Sequence, residues 1–344
     1  MVKKREFVLL FVLLVVLLLV LFSFFGNLVP VPNPSEKSEN KIPENCGILK
    51  IYILNVSQAD SILIITPNGT TILIDSGSLM RNNSASHVVE FLKSLGIARI
   101  DHLIATHMHE DHIGGMGGVY GNFQIVNEYD NGNCGNQKSS SISNFQNLAA
   151  NSSLHHAVRN DMDVVLDGCF FKSRILSAYG EIEKSGKCFS NENDNSLILY
   201  IEYGVDSFIF MGDCENKCEG KIAGKNVYAD FIKVGHHGSA TSSSFSFLKK
   251  INPSIYAFST DKDRSAIDGY FHPRMNSLKN VFNSGGRNST YRTDLNGDIT
   301  LISDGRGINV GTKANASICE IFSGYSTSEK GSYGVIESLT NNCS

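Results

Sequence analysis

One segment, THMHEDHIGG at residues 106–115, constrains the fold of this chain more than any other. Within it, four potential metal ligands follow the apolar run at residues 103–105, and these are His107, His109, Asp111 and His112. Imidazole and carboxylate groups suit a borderline divalent cation such as zinc. Residues two apart in an extended segment point to the same side, so the first two histidines are expected to hold one ion and the last two residues a second. A His-rich surface loop is the alternative, but four ligands at this spacing after a buried strand favour a metal site.

The composition limits the size of the fold and the kind of partner. With 344 residues and 42% hydrophobic content, the chain can bury one large core or two small ones. Its net charge of −4 provides no overall basic field. A nucleic-acid partner would therefore have to be held by a local patch and by metal ions rather than by net charge.

The N-terminus has the pattern of a membrane anchor. Three basic residues at positions 3–5 precede a run at residues 7–25 that is apolar except for Ser23. This approaches the roughly 20 residues that a helix needs to cross a bilayer, and it exceeds the about 7–15 residues of a signal-peptide core, which is the alternative. We predict a single-pass helix at residues 7–25, with residues 1–6 in the cytoplasm and the later domain outside the cell membrane. Residues 26–45, rich in Pro, Ser and charge, are predicted to be a linker.

The chain has eight cysteines, none of them in a C-x-x-C metal pattern. In an exported domain an even number of cysteines favours disulfides over reduced buried thiols, which remain the alternative. Cys214 and Cys218 are one helical turn apart, and a bond between Cys319 and Cys343 would close the C-terminal segment. The full pairing of the eight cysteines cannot be deduced from the sequence.

From residue 48 onwards the pattern is rich in strands. Short apolar or β-branched runs predict strands at residues 48–54, 61–65, 71–75, 102–105, 123–128, 174–178, 197–203, 207–211, 230–234 and 254–259. Helices are predicted at residues 87–95, 114–122 and 243–250. Residues 130–153, rich in Asn, Ser and Gly, are expected to form a loop or lid, and His155 and His156 after them are expected to be loop residues.

The pattern HxHxDH at residues 107–112 resembles the signature of the metallo-β-lactamase fold superfamily. Further segments resemble one branch of it, the hydrolase domain of the ComEC-type competence DNA-internalisation proteins, and these are QADSILIITPNGTTILIDSG (58–77), NDNSLILYIEYG (193–204), FIFMGD (208–213), FIKVGHHGSATSSSFSFLKKINP (231–253) and GYFHP (269–273). The resemblance implies an α/β fold, an αββα sandwich with metal ions at one edge, over residues 46–305. A Cys-containing tail at residues 306–344 lies beyond it.

The resemblance also implies roles for residues outside the signature. Asp75 in ILIDSG matches an aspartate that supports the metal-binding loop through hydrogen bonds, with a strand-end turn residue as the alternative. Asp213 after FIFMG matches an aspartate that bridges both metals, with a helix-capping residue as the alternative. His272 in GYFHP matches a late histidine that binds a substrate oxyanion or protonates a leaving group, with a surface turn residue as the alternative.

In VGHHGS, one histidine is expected to complete the second metal site. We assign His236 to this role and place His237 and Ser239 towards the substrate, while the reverse order of the two histidines stays open. Many enzymes of this fold supply a further histidine to the first metal at the place where this chain has NDNS (193–196), and the ComEC-type branch also lacks it. Asn195 could ligate there through its amide oxygen, or water could fill the position.

These features predict a membrane-anchored, outward-facing hydrolase that uses two divalent ions, expected to be zinc, with manganese as the alternative. Activated water would attack an electrophilic centre while Asp111 helps to hold the second metal and to orient the nucleophile. The branch implies a phosphodiester substrate, DNA first, with His237 and His272 near the phosphate. The alternatives are a hydrolase of the same fold acting on a phosphocholine ester, a lactone or a β-lactam, and a non-catalytic cell-surface binding protein. No protein partner can be deduced.

Overall fold

The computed structural model describes residues 46–80, 84–151, 154–166, 169–177, 188–261, 272–326 and 333–343. The predicted cytoplasmic end, membrane helix and linker at residues 1–45 lie outside these ranges. Within them, no helix combines the length and the apolar character that a membrane span requires.

Strands outnumber α-helices in the described part of the chain. In chain order they are β1 (Leu49–Ile53), β2 (Ile62–Ile65), β3 (Thr71–Ile74), β4 (Arg99–Ile104), β5 (Gln124–Asp130), β6 (His155–Ala157), β7 (Met162–Leu166), β8 (Phe171–Leu176), β9 (Ile198–Tyr203), β10 (Asp206–Phe210), β11 (Phe231–Lys233), β12 (Ile255–Phe258), β13 (Thr290–Arg292), β14 (Ile299–Ser303), β15 (Ile308–Thr312), β16 (Ser323–Tyr325) and β17 (Tyr333–Val335). The α-helices are α1 (Ser84–Ser94), α2 (Glu110–Ile113), α3 (Met116–Asn122), α4 (Ser140–Ala150), α5 (Asn216–Ala223), α6 (Phe245–Ile251), α7 (Met275–Ser284), α8 (Thr293–Asn296) and α9 (Ile318–Ile321). Short 3-10 turns lie at Asn193–Asn195, Gly235–Gly238, Gly286–Asn288 and Glu337–Asn342.

The strands form two large sheets and one small one. The first sheet has the order β15-β14-β1-β2-β3-β4-β5-β6, and the second has the order β13-β12-β11-β10-β9-β8-β7. Each sheet contains a parallel part, which comprises β3 to β6 in the first and β10 to β13 in the second. Strands β16 and β17 pair with each other.

Three apolar clusters define the layers. One lies between the two sheets and joins Ile51 of β1 to Phe210 of β10. A second covers the other face of the first sheet with helices α1 to α4, including Phe145. A third covers the other face of the second sheet with helices α5 to α7, including Leu248. The order of layers is therefore helix, sheet, sheet, helix, and the predicted mixed α/β fold is confirmed.

The prediction of a loop at residues 130–153 is wrong for its second half, which contains helix α4. The Ser139 side chain caps this helix by accepting a hydrogen bond from the backbone N–H of Ile142 at 3.1 Å. Only Ile142, Phe145 and Ala149 are buried, at helical spacing. The polar residues between them dominated the composition and hid the period. His155 and His156 likewise belong to strand β6 rather than to a loop.

All eight cysteines are paired, as Cys46–Cys169, Cys134–Cys188, Cys214–Cys218 and Cys319–Cys343. The predicted preference for disulfides is confirmed, and the two pairs that the sequence suggested are present. The other two bonds join segments 123 and 54 residues apart in sequence. Only the tertiary fold brings those segments together.

The C-terminal segment packs on the domain. Strand β15 extends the first sheet by pairing with β14. The buried Arg292 donates hydrogen bonds to the carbonyl oxygens of Ile321 and Ser323, at 3.2 and 2.5 Å. Tyr325 donates its backbone N–H to the carbonyl oxygen of Pro273 at 3.0 Å, next to His272.

A buried carboxylate, Asp298, joins three distant parts of the chain. It accepts the backbone N–H of Asn55 at 2.7 Å and pairs with His87 at 3.1 Å and Lys313 at 2.7 Å. Burial opposes its ionisation, but these partners outweigh burial and lower the pKa of Asp298. The charge of Asp298 therefore stabilises the folded state.

Candidate metal centre

The parallel strands of both sheets deliver polar side chains to one edge of the sandwich. Asp75 follows β3, and His107 lies in the turn after the neighbouring strand β4. Asp213 follows β10, and His237 follows the neighbouring strand β11. Because the carboxyl ends of parallel strands meet at the same edge of a sheet, these residues converge.

The first group at this edge comprises Asp111, His112, Asp213 and His237, whose ligand atoms lie within 4.8 Å of one another. Nε2 of His112 is 3.2 Å from Oδ1 of Asp213. Nε2 of His237 is 3.6 Å from the same oxygen and 3.4 Å from Oδ2 of Asp111. All but Asp111 are fully buried, so the group lies in a protected pocket with Asp111 at its rim.

The second group comprises His107, His109 and Asp213. Nε2 of His107 lies 3.0 Å from Nδ1 of His109 and 3.8 Å from Oδ2 of Asp213. The two oxygens of Asp213 thus face different groups, Oδ1 the first and Oδ2 the second. This is the arrangement that lets one carboxylate serve two ions.

Unsatisfied buried atoms test whether these residues fit a metal. Nε2 of His112, Oδ1 of Asp213 and Nε2 of His237 have no hydrogen-bond partner within the described residues. A buried polar atom without a partner costs about 1–3 kcal/mol. The three atoms lie close together and are imidazole nitrogens and a carboxylate oxygen, the ligand types of zinc and related cations. The residues therefore fit a divalent cation.

Asp75 holds the metal loop from behind. Its Oδ1 accepts the backbone N–H of Thr106 at 2.8 Å, and its Oδ2 accepts the Thr106 hydroxyl at 2.8 Å and Nδ1–H of His112 at 2.7 Å. The last bond leaves Nε2 of His112 to face Asp213. Asp75 is fully buried and has a left-handed backbone, with φ 56°, which its three hydrogen bonds help to hold. These are the contacts expected of an aspartate that supports the metal-binding loop through hydrogen bonds.

The charges of the centre shift the pKa values of its members in opposite directions. Burial acts against protonation of His112, but Asp213 and Asp75 outweigh it and raise its pKa well above the usual range. Burial acts against ionisation of Asp213, but His112, with the neighbouring histidines, lowers its pKa well below the usual range. Burial, with the nearby His112 and His109, lowers the pKa of His107. An ionised Asp213 and a neutral His107 are the forms that bind metals, whereas His112 must give up its Nε2 proton to do so.

The two adjacent histidines both lie near Asp213, with Nε2 of His237 3.6 Å from Oδ1 and Nε2 of His236 3.7 Å from Oδ2. His237, not His236, lies in the first group. His236 instead pairs through Nδ1 with Glu215 at 2.8 Å and is 19% exposed. Both have left-handed backbones, with φ 47° and 51°, and this turn directs the second ring inward. His237 is fixed by a hydrogen bond from Nδ1 to the carbonyl oxygen of Ser259 at 2.9 Å.

The structure places the three remaining predicted residues in different surroundings. Asn195 is turned away from the ligands, because its amide oxygen accepts the backbone N–H of Phe189 at 2.9 Å. The hydroxyl of Ser239 contacts that of Thr241 at 2.9 Å, at the end of the His236 turn. His272 is buried beside the centre, with its ring centroid 5.2 Å from that of His236. Burial, with the neighbouring histidines, lowers the pKa of His272 well below the usual range, so its ring is neutral.

A buried ion pair that the sequence does not predict lies next to the centre. Nζ of Lys233 donates to Oδ2 of Asp60 at 3.0 Å, and both side chains are fully buried. Oδ1 of Asp60 lies 3.8 Å from Nδ1 of His237. The two residues are 173 positions apart, so no local pattern could have linked them.

Glu192 is a second buried carboxylate that the sequence did not reveal. It accepts the backbone N–H of Met108 at 3.1 Å, and that N–H lies between the two histidines of the second group. It also accepts the side-chain amides of Asn131 and Asn195 at 2.7 and 3.1 Å and the backbone N–H of Gly135 at 3.1 Å. Glu192 therefore ties the loop after β5 and its own segment before β9 to the metal segment.

The architecture and the two groups define a class of protein. Residues 54–133 match the family described as the Metallo-beta-lactamase superfamily. The fold is of the mixed α/β metallo-β-lactamase type, which generally binds divalent metals, and the His and Asp clusters of this chain lie at the expected edge.

The particular relatives are competence proteins. The chain is similar to ComE operon protein 3 of Bacillus subtilis (strain 168), with 26% identity over 269 residues that cover 73% of this chain and 32% of the relative. It is also similar to competence protein ComA of Neisseria gonorrhoeae, with 28% identity over 261 residues that cover 74% of this chain and 32% of the relative. The match thus spans about a third of the length of these relatives. The resemblance predicted from the sequence is confirmed.

A solved structure shows a weaker likeness. CmlA, a diiron beta-hydroxylase from Streptomyces venezuelae, superimposes with a TM-score of 0.46 and 15% identity over 74% of this chain and 54% of that chain. At these values the likeness says nothing about activity.

Proposed function

We propose that this protein is a hydrolase that uses two divalent metal ions, zinc first and manganese as the alternative, to cleave phosphodiester bonds in DNA. The observation that carries the proposal is the shared carboxylate of Asp213, whose two oxygens face two separate ligand groups. Two ions bound to groups that share a carboxylate could act on one substrate group.

Each member of the centre has a proposed role. His107 and His109 would hold one ion, and Asp111, His112 and His237 would hold the other, while Asp213 belongs to both groups. Bound ions would supply Lewis acidity and lower the pKa of water. Asp111, at the rim of the pocket, also orients the attacking water.

Two further histidines are proposed to face the substrate. His236 is partly exposed, and although burial opposes its protonation, Asp213 and Glu215 raise its pKa. Its partly exposed ring can contact a phosphate oxygen. The neutral His272 beside it can donate one hydrogen bond to the same phosphate or to the leaving oxygen. Ser239 follows these histidines and is proposed to border the substrate.

The competence relatives support DNA as the substrate, and the disulfides support an extracytoplasmic location. The curated relatives are named for competence. Because the chain has a net negative charge, its metal ions rather than its overall charge would hold a phosphate. Four disulfides favour an oxidising, extracytoplasmic environment. We propose that residues 7–25 anchor the domain to the membrane with the centre facing outward.

The test compares the full chain with Asp213→Asn and the control Asp101→Asn, which changes a carboxylate in strand β4. Single- and double-stranded DNA and bis-p-nitrophenyl phosphate are assayed with added zinc or manganese, and bound metal is counted. We expect Asp213→Asn to lose metal and at least 100-fold in rate, and the control to keep both. Metal-loaded protein that turns over a lactone, a β-lactam or a phosphocholine ester but no phosphodiester would refute the proposed substrate. Metal-loaded protein that hydrolyses none of them would refute catalysis and favour a binding role.

A further inference from the structure

Three ligand-type side chains lie together at the outer edge of the first sheet, apart from the residues of the metal centre. Glu128 and Asp130 are two positions apart in strand β5, so they point to the same face. Strand β6 runs parallel to β5, and its His155 is the direct partner of Glu128. One ligand atom from each of the three lies within 4.8 Å of the others.

The buried charge of this group is incompletely compensated. Glu128 and Asp130 are 0% and 3% exposed. Oδ2 of Asp130 pairs with Nε2 of His155 at 3.0 Å, and the Tyr120 hydroxyl donates to Oε2 of Glu128. Oε1 of Glu128 is buried and has no hydrogen-bond partner within the described residues. One imidazole thus serves two neighbouring buried carboxylates, which is costly unless another cation or a proton is present.

We propose that Glu128, Asp130 and His155 bind a third divalent cation, separate from the paired centre. One imidazole nitrogen and two carboxylates form a mixed donor set that suits zinc or manganese better than magnesium or calcium, which prefer oxygen ligands alone. The side chain of His155 is 34% exposed and gives the ion a path from solvent. The carboxylates lie behind it in the protein.

This third site is placed to stabilise the metal loop from a distance. Its ion would fasten the edge strand β6 to β5. Asp130 also accepts the backbone N–H of Gly132 at 2.6 Å, at the start of the loop that contains Asn131. Asn131 donates to Glu192, which accepts the N–H of Met108 in the metal segment. The proposed ion therefore has a structural role beyond the proposed hydrolysis.

The chain offers a matched control for the test. His87 is also paired with a buried aspartate, Asp298, at 3.1 Å, and its side chain is also 34% exposed, but it belongs to no ligand group among the described residues. We compare His155→Gln and Glu128→Gln with His87→Gln and wild type. Each full-length protein is stripped with a chelator and dialysed against dilute zinc. Bound zinc per chain is then counted, and the rise in Tm on adding zinc is measured.

We expect His155→Gln and Glu128→Gln to bind one zinc fewer than wild type and His87→Gln. The same loss should appear when His155→Gln is added to Asp213→Asn, because the two sites share no residue. Equal zinc binding by all four proteins would overturn the proposal and indicate that Glu128 is simply protonated. A loss that vanishes in the Asp213→Asn background would also overturn it, because the missing ion would then belong to the paired centre. If Glu128→Gln does not fold, the test is decided by His155→Gln, which changes a partly exposed side chain.

Discussion

Replacing Asp75 by Asn tests how the hydrogen bonds behind the metal loop prepare His112. Oδ2 of Asp75 accepts two hydrogen bonds, from the Thr106 hydroxyl and from Nδ1–H of His112. An Asn that keeps its oxygen towards the Thr106 backbone N–H presents an NH2 group at the Oδ2 position. The Thr106 hydroxyl can rotate and become an acceptor. The His112 ring can accept only if its proton moves to Nε2, and a protonated Nε2 cannot bind metal.

The size of the effect follows from this conflict. Either His112 loses its hydrogen bond to a charged group, which costs about 1.5–3 kcal/mol, or its ring takes the tautomer with the proton on Nε2 at a similar cost in free energy. Loss of a carboxylate behind a ligating histidine lowers metal affinity by roughly 10–100-fold. We expect Asp75→Asn to weaken metal binding by that factor while the protein stays folded.

The assay is a competition titration of zinc against a chelator of known affinity, at one pH. Asp101→Asn is the control, because Oδ2 of Asp101 likewise accepts the N–H and hydroxyl of a threonine, Thr71, both at 2.9 Å, but contacts no metal ligand in the described structure. Its affinity for zinc should match the wild type. An affinity of Asp75→Asn within twofold of wild type would refute the tautomer argument.

Three further predictions concern stability. Lys233→Met should cost about 3–5 kcal/mol in urea unfolding, because it leaves the buried carboxylate of Asp60 without its cation, and adding Asp60→Asn should recover part of the loss. Asp298→Asn should cost about 1.5–3 kcal/mol at neutral pH, because ionised Asp298 is stabilised by its partners. The pKa of an aspartate in the unfolded chain is about 3.9, and the lower pKa in the folded state stabilises the protein only while Asp298 is ionised. The difference in unfolding free energy between wild type and Asp298→Asn should therefore shrink as the pH falls below that value. A difference that stays constant would contradict this prediction. Replacing Cys46 and Cys169 by Ser should cost about 5 kcal/mol on the loop-entropy estimate for a 123-residue separation, and an unchanged Tm would exclude this.

Much of the fold was predictable because its elements are local. The strands around the metal segment are short apolar runs, and each predicted run that the structure tests overlaps a strand. Helix α4 was missed because three buried positions among polar residues give a weak period. Strand β6 was missed because three residues, His155–Ala157, are too few to show any alternation.

The candidate site was predictable where its ligands are neighbours or end a strand. The four residues of the HxHxDH segment and Asp213 meet these conditions, and the structure brings them together. The order of His236 and His237 could not be predicted, because it depends on two left-handed backbone positions. Their conformation is held by contacts with the turn after β10 and with Ser259, including the bond from the His236 N–H to the carbonyl oxygen of Gly212.

The sequence by itself determined the chemistry available to this protein: imidazole and carboxylate ligands after buried strands, and enough cysteines to pair. Hydrophobic period and ligand spacing are properties of neighbouring residues, so they can be read along the chain. The tertiary structure alone decided which histidine joins Asp111, His112 and Asp213 in one ligand group, which carboxylate supports which loop, and that Lys233 meets Asp60 across 173 residues. These choices depend on how two sheets pack, because a buried charge or proton is stabilised only by the groups that the fold brings within hydrogen-bonding distance.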